Sequence, residues 1–137
     1  MENVLGNVLK KYSEQIYVLF RVLVGLLFLQ HGAQKLFGWF GAQGSVQLFS
    51  LMGLAGVIEF FGGLAIVLGL FTRLAALGSA VTMLVAYFKA HFSLAAWLPI
   101  VNKGELALLY FAAFLVLLVW GAGKLSLEKV WLKKELF

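Results

Sequence analysis

Residues 106–123 read LALLYFAAFLVLLVWGAG, a run of 18 residues without a single charge. Coiled into a helix at about 1.5 Å per residue, a stretch this long and apolar matches the hydrocarbon thickness of a bilayer. The rest of the chain has to be read in the solvent that this run implies. Hydrophobic residues make up 63% of the 137 and charged residues 12%, with a mean hydropathy of +0.98. Soluble domains lie near half apolar and a quarter charged. A soluble helical bundle would also need charged outer faces, for which this chain lacks the residues. The sequence therefore predicts an all-α, integral membrane protein.

Working back from this run, three further apolar segments complete the pattern, each with a polar concession. The predicted spans are 16–37, 51–71, 74–92 and 105–122, forming one four-helix bundle in a single domain over 1–137. The connections are short. GWFGAQGSVQLFS (38–50) is a loop with aromatic flanks, and GLFTR (69–73) is a tight turn in which Thr72 is the expected cap. SLAAWLPIVNKG (93–104) holds the only proline, Pro99, and is apolar enough to lie in the membrane interface. With four spans both termini share a side. Lys10, Lys11, Arg21, Arg73, Lys124, Lys129, Lys133 and Lys134 fall on it, against Lys35, Lys89 and Lys103 opposite. That asymmetry predicts a multi-pass protein of the cell inner (plasma) membrane with both termini cytoplasmic.

Residues 124–137 are expected to lie on that inner surface as a basic amphipathic tail carrying Leu127, Val130 and Trp131. The net charge of +5 is concentrated at span ends, so it argues for lipid and against nucleic acid as the partner. Absence of cysteine excludes disulfides, thiolate metal sites and thiol exchange by this chain itself. The opening MENVLGNVLKKYSEQ has no small-residue cleavage site and is expected to be retained.

Helix geometry gathers the polar residues. Arg21, His31 and Lys35 fall within about 80° of one another on the first span, beside Gly25 and Gly32. On the second, Gly56, Glu59 and Gly63 fall within about 60°. Small residues allow close backbone approach, and a carboxylate inside a membrane needs a partner. The two stripes are therefore predicted to face each other, with Glu59 contacting Arg21 or His31. His31, Glu59 and Arg21 lie roughly 8, 12 and 22 Å below the outer surface at 1.5 Å per residue. His91, Asn102 and Glu105 arrive at the outer level from the third and fourth spans. The predicted site is a polar pocket in the outer half of the membrane, floored by Glu59 and Arg21. Glu59 and His31 are its catalytic candidates; Arg21, Lys35, His91, Asn102 and Glu105 are its ligand-binding candidates. Plainer readings stand beside this one. Lys35 and Lys89 are placed to snorkel to headgroups, and Glu59 is also placed for a purely structural ion pair. A metal held by His31, His91, Glu59 and Glu105 is disfavoured, because no span carries a Glu-x-x-His pair.

Taken in order, RVLVGLLFLQHGAQKLFG, GVIEFFGGLAIVLGLFTRLAAL, AYFKAHF and NKGELALLYFAAFLVLLVWGAGKLSLEKV resemble the DoxX family of small four-helix membrane proteins, from Arg21 to Leu127. The HG-x-x-K signature corresponds to His31, Gly32 and Lys35. The glutamate before a double glycine is Glu59, with Gly62 and Gly63 after Phe60 and Phe61. The glycine-rich exit lies at 121–127, with Ala122 where a proline is common.

What the resemblance implies is a membrane subunit linked to redox chemistry. Some relatives reduce quinones and others assemble with enzymes of oxidative and thiol stress. The expected ligand is a quinone or similar amphiphile. His31, Lys35 and His91 would donate hydrogen bonds to it, and Glu59 would relay protons. Phe28, Phe60 and Phe88 would line the apolar part. Soluble redox enzymes are the expected protein partners, with self-association open. Two alternatives remain: a non-enzymatic scaffold recruiting such enzymes through the basic tail, and a small carrier gated by Arg21 and Glu59.

Overall fold

The structure, a computed structural model, describes residues 3–136, so Met1, Glu2 and Phe137 at the ends of the expected domain and tail lie outside the described residues. In chain order the helices are α1 (Val4–Lys10), α2 (Ser13–Phe37), α3 (Leu51–Leu68), α4 (Thr72–Ala86), α5 (Pro99–Asn102), α6 (Glu105–Trp120) and α7 (Leu127–Leu132). A π-helical turn, Tyr87–His91, continues α4, and no strand occurs among the described residues.

Local chemistry sets these limits. Gly38 ends α2 in the left-handed region, its N–H bonded to the Gln34 carbonyl. Ser50 caps α3, its hydroxyl accepting from the Gly53 N–H at 3.0 Å. At the far end of α3, Gly69 (φ 68°) closes a Schellman turn: its N–H meets Ile66 and the Leu70 N–H meets Ala65. The second span therefore stops three residues short of the expected residue 71. Thr72 is not a cap either. It is the buried first residue of α4, and Phe71 precedes it with φ 47°.

Three helical segments, Ser13–Phe37, Leu51–Leu68 and Thr72–His91, are long and apolar enough to cross a membrane. α6 is apolar but has 16 residues, about 24 Å of helix against about 30 Å of hydrocarbon. The distribution of side chains supports a lipid exterior. The faces turned inward on α3 and α4 carry Gly53, Gly56, Gly63, Ala76, Ser79 and Ala80. Leu19, Leu23, Leu54, Phe61, Val81 and Val119 point outward and are exposed. Water would reverse that arrangement; in lipid, small residues inside are what let helices approach.

α2 packs most closely on α3, α4 on α6, and α3 on α4, whereas α2 and α6 barely meet. Glycine makes the first contact possible. A Cβ on Gly25 would sit 2.8 Å from the Gly63 carbonyl oxygen, and one on Gly32 would collide with the Phe60 backbone. The two glycine stripes thus face each other as their spacing predicts. Phe28, Ile66, Phe114 and Leu117 fill the centre between the helices.

Candidate functional site

Near the C-terminal end of α2, polar groups from four parts of the chain converge on one cavity of about 230 Å³. α2 contributes Phe28, His31 and Lys35, which its turn spacing stacks along one side. α3 contributes Glu59, and the π turn contributes His91. Lys103, Leu106 and Tyr110 close the far wall.

The central contact is an ion pair, Lys35 Nζ to Glu59 Oε2 at 2.7 Å. The Glu59 side chain is 4% exposed and that of Lys35 20% exposed. Lys35 therefore does not snorkel. Side chains on a helix lean toward its N-terminus, which for α2 means into the bundle. Gly56, one turn from Glu59, clears the route: a Cβ there would lie 2.9 Å from the Lys35 Cβ.

His31 stands edge-on to Tyr110, with centroids 5.9 Å apart and planes at 90°. It spends no ring nitrogen on a hydrogen bond to a described residue. Tyr110 is held in turn by Phe28 at 5.3 Å and Phe114 at 5.9 Å.

His91 owes its position to the π turn, closed by the Phe92 N–H on the Tyr87 carbonyl at 2.9 Å. Such turns re-aim side chains relative to a regular helix and recur at functional sites. Its Nδ1 lies 3.1 Å from the Asn102 carbonyl oxygen. A carbonyl can only accept, so Nδ1 carries the hydrogen, and Nε2 is the basic nitrogen of the neutral ring.

The other expected members sit elsewhere. Asn102 serves the 92–104 loop: its amide donates to Tyr87 Oη (3.2 Å) and the Ala96 carbonyl (3.0 Å), and its Oδ1 accepts from the Gly104 N–H (2.8 Å). It holds His91 through its backbone and is a positioning residue, not a lining one. Glu105 is exposed in the first turn of α6, where a negative charge suits the helix dipole, and does not line the cavity.

Arg21 departs furthest from expectation. It is 2% exposed and lies about 15 Å of helix rise from His31. Its guanidinium donates to the carbonyls of Ala122, Leu125 and Val67, and Tyr17 adds a bond to the Gly121 carbonyl. The ends of α3 and α6 leave carbonyls without helical partners and carry the negative ends of their dipoles. A planar five-donor fork answers several of them at once. Neither Arg21 nor His31 is the partner of Glu59, and Arg21 and Glu59 are not in contact in this structure.

The tail is likewise built into the fold. Ser126 donates to the Gly69 carbonyl, Glu128 is fully buried and accepts from the Leu136 N–H, and Arg73 pairs with Glu135 at 2.9 Å. Its outer side, Val130 and Trp131, is exposed as an interfacial helix would be.

Lys103 and Tyr110 were the polar lining residues that sequence reasoning missed. Tyr110 had a signal, as the one polar ring in the upper part of the 106–123 run. Lys103 had none beyond standing next to Asn102.

The DoxX family model matches residues 16–92. An uncharacterized protein of Haemophilus influenzae is 39% identical, the match covering 93% of this chain and 99% of the relative. Escherichia coli inner membrane protein YqjF is 30% identical, covering 92% of this chain and 99% of its own. No solved structure matches.

Proposed function

The chain belongs to the DoxX family, and from that premise we propose that it is a multi-pass inner-membrane subunit of a redox assembly, binding the head of a quinone or similar amphiphile among His31, Lys35, Glu59 and His91. In this reading α6 makes the fourth crossing, both termini face the cytoplasm, and the pocket opens in the outer half of the bilayer. The observation that carries it is the convergence of an ion pair, two imidazoles and a tyrosine ring on one cavity among apolar helices. Such groups are expensive in lipid unless they pair or bind something. Only two of the five are consumed by each other.

The chemistry follows from the groups present. A quinone offers two carbonyl oxygens as acceptors, and His31 and Lys35 supply donors. Reduction to the quinol takes two electrons and two protons, one proton to each oxygen. The electrons come from the cofactor of a partner enzyme, since this chain has no cysteine to carry them. Glu59 and His91 Nε2 are the groups able to hand on protons.

A tail-less benzoquinone analogue titrated into the purified protein, followed calorimetrically, tests this. We expect saturable binding that His31→Asn weakens at least tenfold, about 1.4 kcal/mol, with thermal unfolding unchanged. Absence of saturable binding to the unmodified protein rejects the reading. Recruitment of a soluble enzyme through the exposed face of α7, unaffected by His31→Asn, would favour the scaffold instead.

A further inference from the structure

Gln30, on α2 beside His31, has an exposed side chain whose carboxamide bonds to no other described residue. More than one turn inside the ends of the span helices, no other exposed polar side chain among the described residues is left in that state. Thr82 on α4 answers itself, donating to the Gly78 carbonyl at 2.7 Å.

The ordinary explanations fail on position. Arg21, buried in the bundle, lies about 180° around α2 from Gln30, so the amide points straight out. Phe37, where α2 ends, is seven residues further on, about 10 Å of helix. Side chains lean toward the N-terminus, which carries this amide deeper and away from the headgroups. Snorkelling belongs to the longer stems of Lys and Arg. Acyl tails offer neither donor nor acceptor, and an amide left without either is costly. In membranes such groups bond across to another helix.

Three properties select that helix. A carboxamide both donates and accepts, so two of them satisfy each other across a two-fold axis. Two copies inserted the same way run their α2 helices in parallel and bring Gln30 to Gln30 at one depth, with no second sequence required to match it. The surrounding face is also patterned for a like helix. Ile16, Leu19, Leu23, Leu26 and Gln30 follow one another at 3-4-3-4 spacing, and the four apolar members are all exposed. That is the seam of a left-handed helix pair, in which a single polar position fixes register. The next place in the pattern, Ala33, is fully enclosed by its own bundle, so the seam runs about 21 Å, from Ile16 to Gln30. We propose that this face of α2 is a self-association surface, where a second copy of the chain packs its own α2 and the two Gln30 side chains exchange hydrogen bonds.

The surface is free for this purpose. α2 meets α3 through Gly25 and Gly32, on the opposite side of the helix, and has little contact with α6. The assignment is independent of what the His31–Glu59 pocket binds.

The test uses the full chain in native membranes and exploits its lack of cysteine. Leu19→Cys, Leu23→Cys and Leu26→Cys lie on the proposed seam; Val81→Cys on α4 and Val119→Cys on α6 are exposed controls. After oxidation with copper phenanthroline, products are resolved by non-reducing electrophoresis and weighed by mass spectrometry. We expect disulfide-linked dimers at the three α2 positions and not at the controls. In reconstituted bilayers, energy transfer between labelled copies should show Gln30→Leu weakening the dimer about tenfold, from two hydrogen bonds of ordinary membrane strength. Helix content should be unchanged, because the amide touches nothing in its own fold. Thr82→Val, which removes a polar group from a different exposed face, should leave association as it was. Dimers absent from the α2 positions, or equally strong at Val81 and Val119, overturn the proposal. So does undiminished association of Gln30→Leu, or an α2 adduct whose mass is that of a different membrane protein.

Discussion

Removing one member of the Lys35–Glu59 pair should cost different amounts depending on which member goes. Breaking a buried ion pair from one side costs about 3–5 kcal/mol, because the survivor is left charged and unpaired. Glu59 is the more enclosed partner, 4% exposed against 20% for Lys35. Lys35→Met strands the carboxylate, only 4% exposed, without its cation and should approach the upper figure. Glu59→Gln leaves Lys35 a neutral acceptor and a flexible stem leading outward, so about 1–2 kcal/mol is expected. Replacing both, Lys35→Met with Glu59→Gln, should be milder than Lys35→Met alone, since no charge then remains to be buried. Denaturant unfolding in detergent micelles, run on all four members of the double-mutant cycle, gives the coupling energy directly. We expect at least about 2 kcal/mol. A coupling below about 0.5 kcal/mol, the range of exposed surface pairs, would refute the claim that this pair is buried and structural to the pocket.

The α2–α3 contact predicts that Gly32→Val, which drives a side chain into the Phe60 backbone, abolishes folded protein, while Gly78→Ala, with nothing within 4 Å, is neutral or stabilising by up to about 1 kcal/mol in the same unfolding assay. Arg21→Lys keeps the charge but not the fork, so limited proteolysis should cut the 121–136 segment faster in that variant while the tail-less quinone analogue binds as before; unchanged proteolysis would mean the carbonyl contacts are dispensable. Asn102→Ala should free the 92–104 loop and weaken analogue binding through His91, whereas Glu105→Gln, outside the cavity, should leave it unaltered. For topology, single cysteines at Gln43 and Lys134 should label from opposite sides of intact membranes, and labelling of both from one side would reject the orientation proposed.

Much of this arrangement was legible before any coordinate. Periodicity alone set the Gly25 and Gly32 stripe against the Gly56 and Gly63 stripe, and gathered His31, Lys35 and Glu59 near one level, because both rest on backbone geometry. Errors arose where long side chains or irregular backbone decide. A helical wheel places the Cα of Lys35 correctly but says nothing of a side chain leaning back along the helix toward Glu59. The destination of Arg21 depended on carbonyls at 121–125, beyond the end of α6, where no period applies. A π turn shifted His91 into the pocket, and a loop tied by its own Asn102 withdrew that residue from it. Polarity marked which residues needed partners; it did not choose the partners.

The clamp on Arg21 also orders events during synthesis. Two of its three acceptors, at Ala122 and Leu125, lie 101 and 104 residues downstream, which a ribosome reaches about 5–20 s after Arg21 at 5–20 residues per second. For that interval the guanidinium has entered the membrane region without the groups that will later receive it. Helix α2 then waits near the surface or leans on the insertion machinery, and the segment after α6 is the one that lets it settle. Truncation before Ala122 would thus be felt first by α2, as a failure of insertion rather than of the tail.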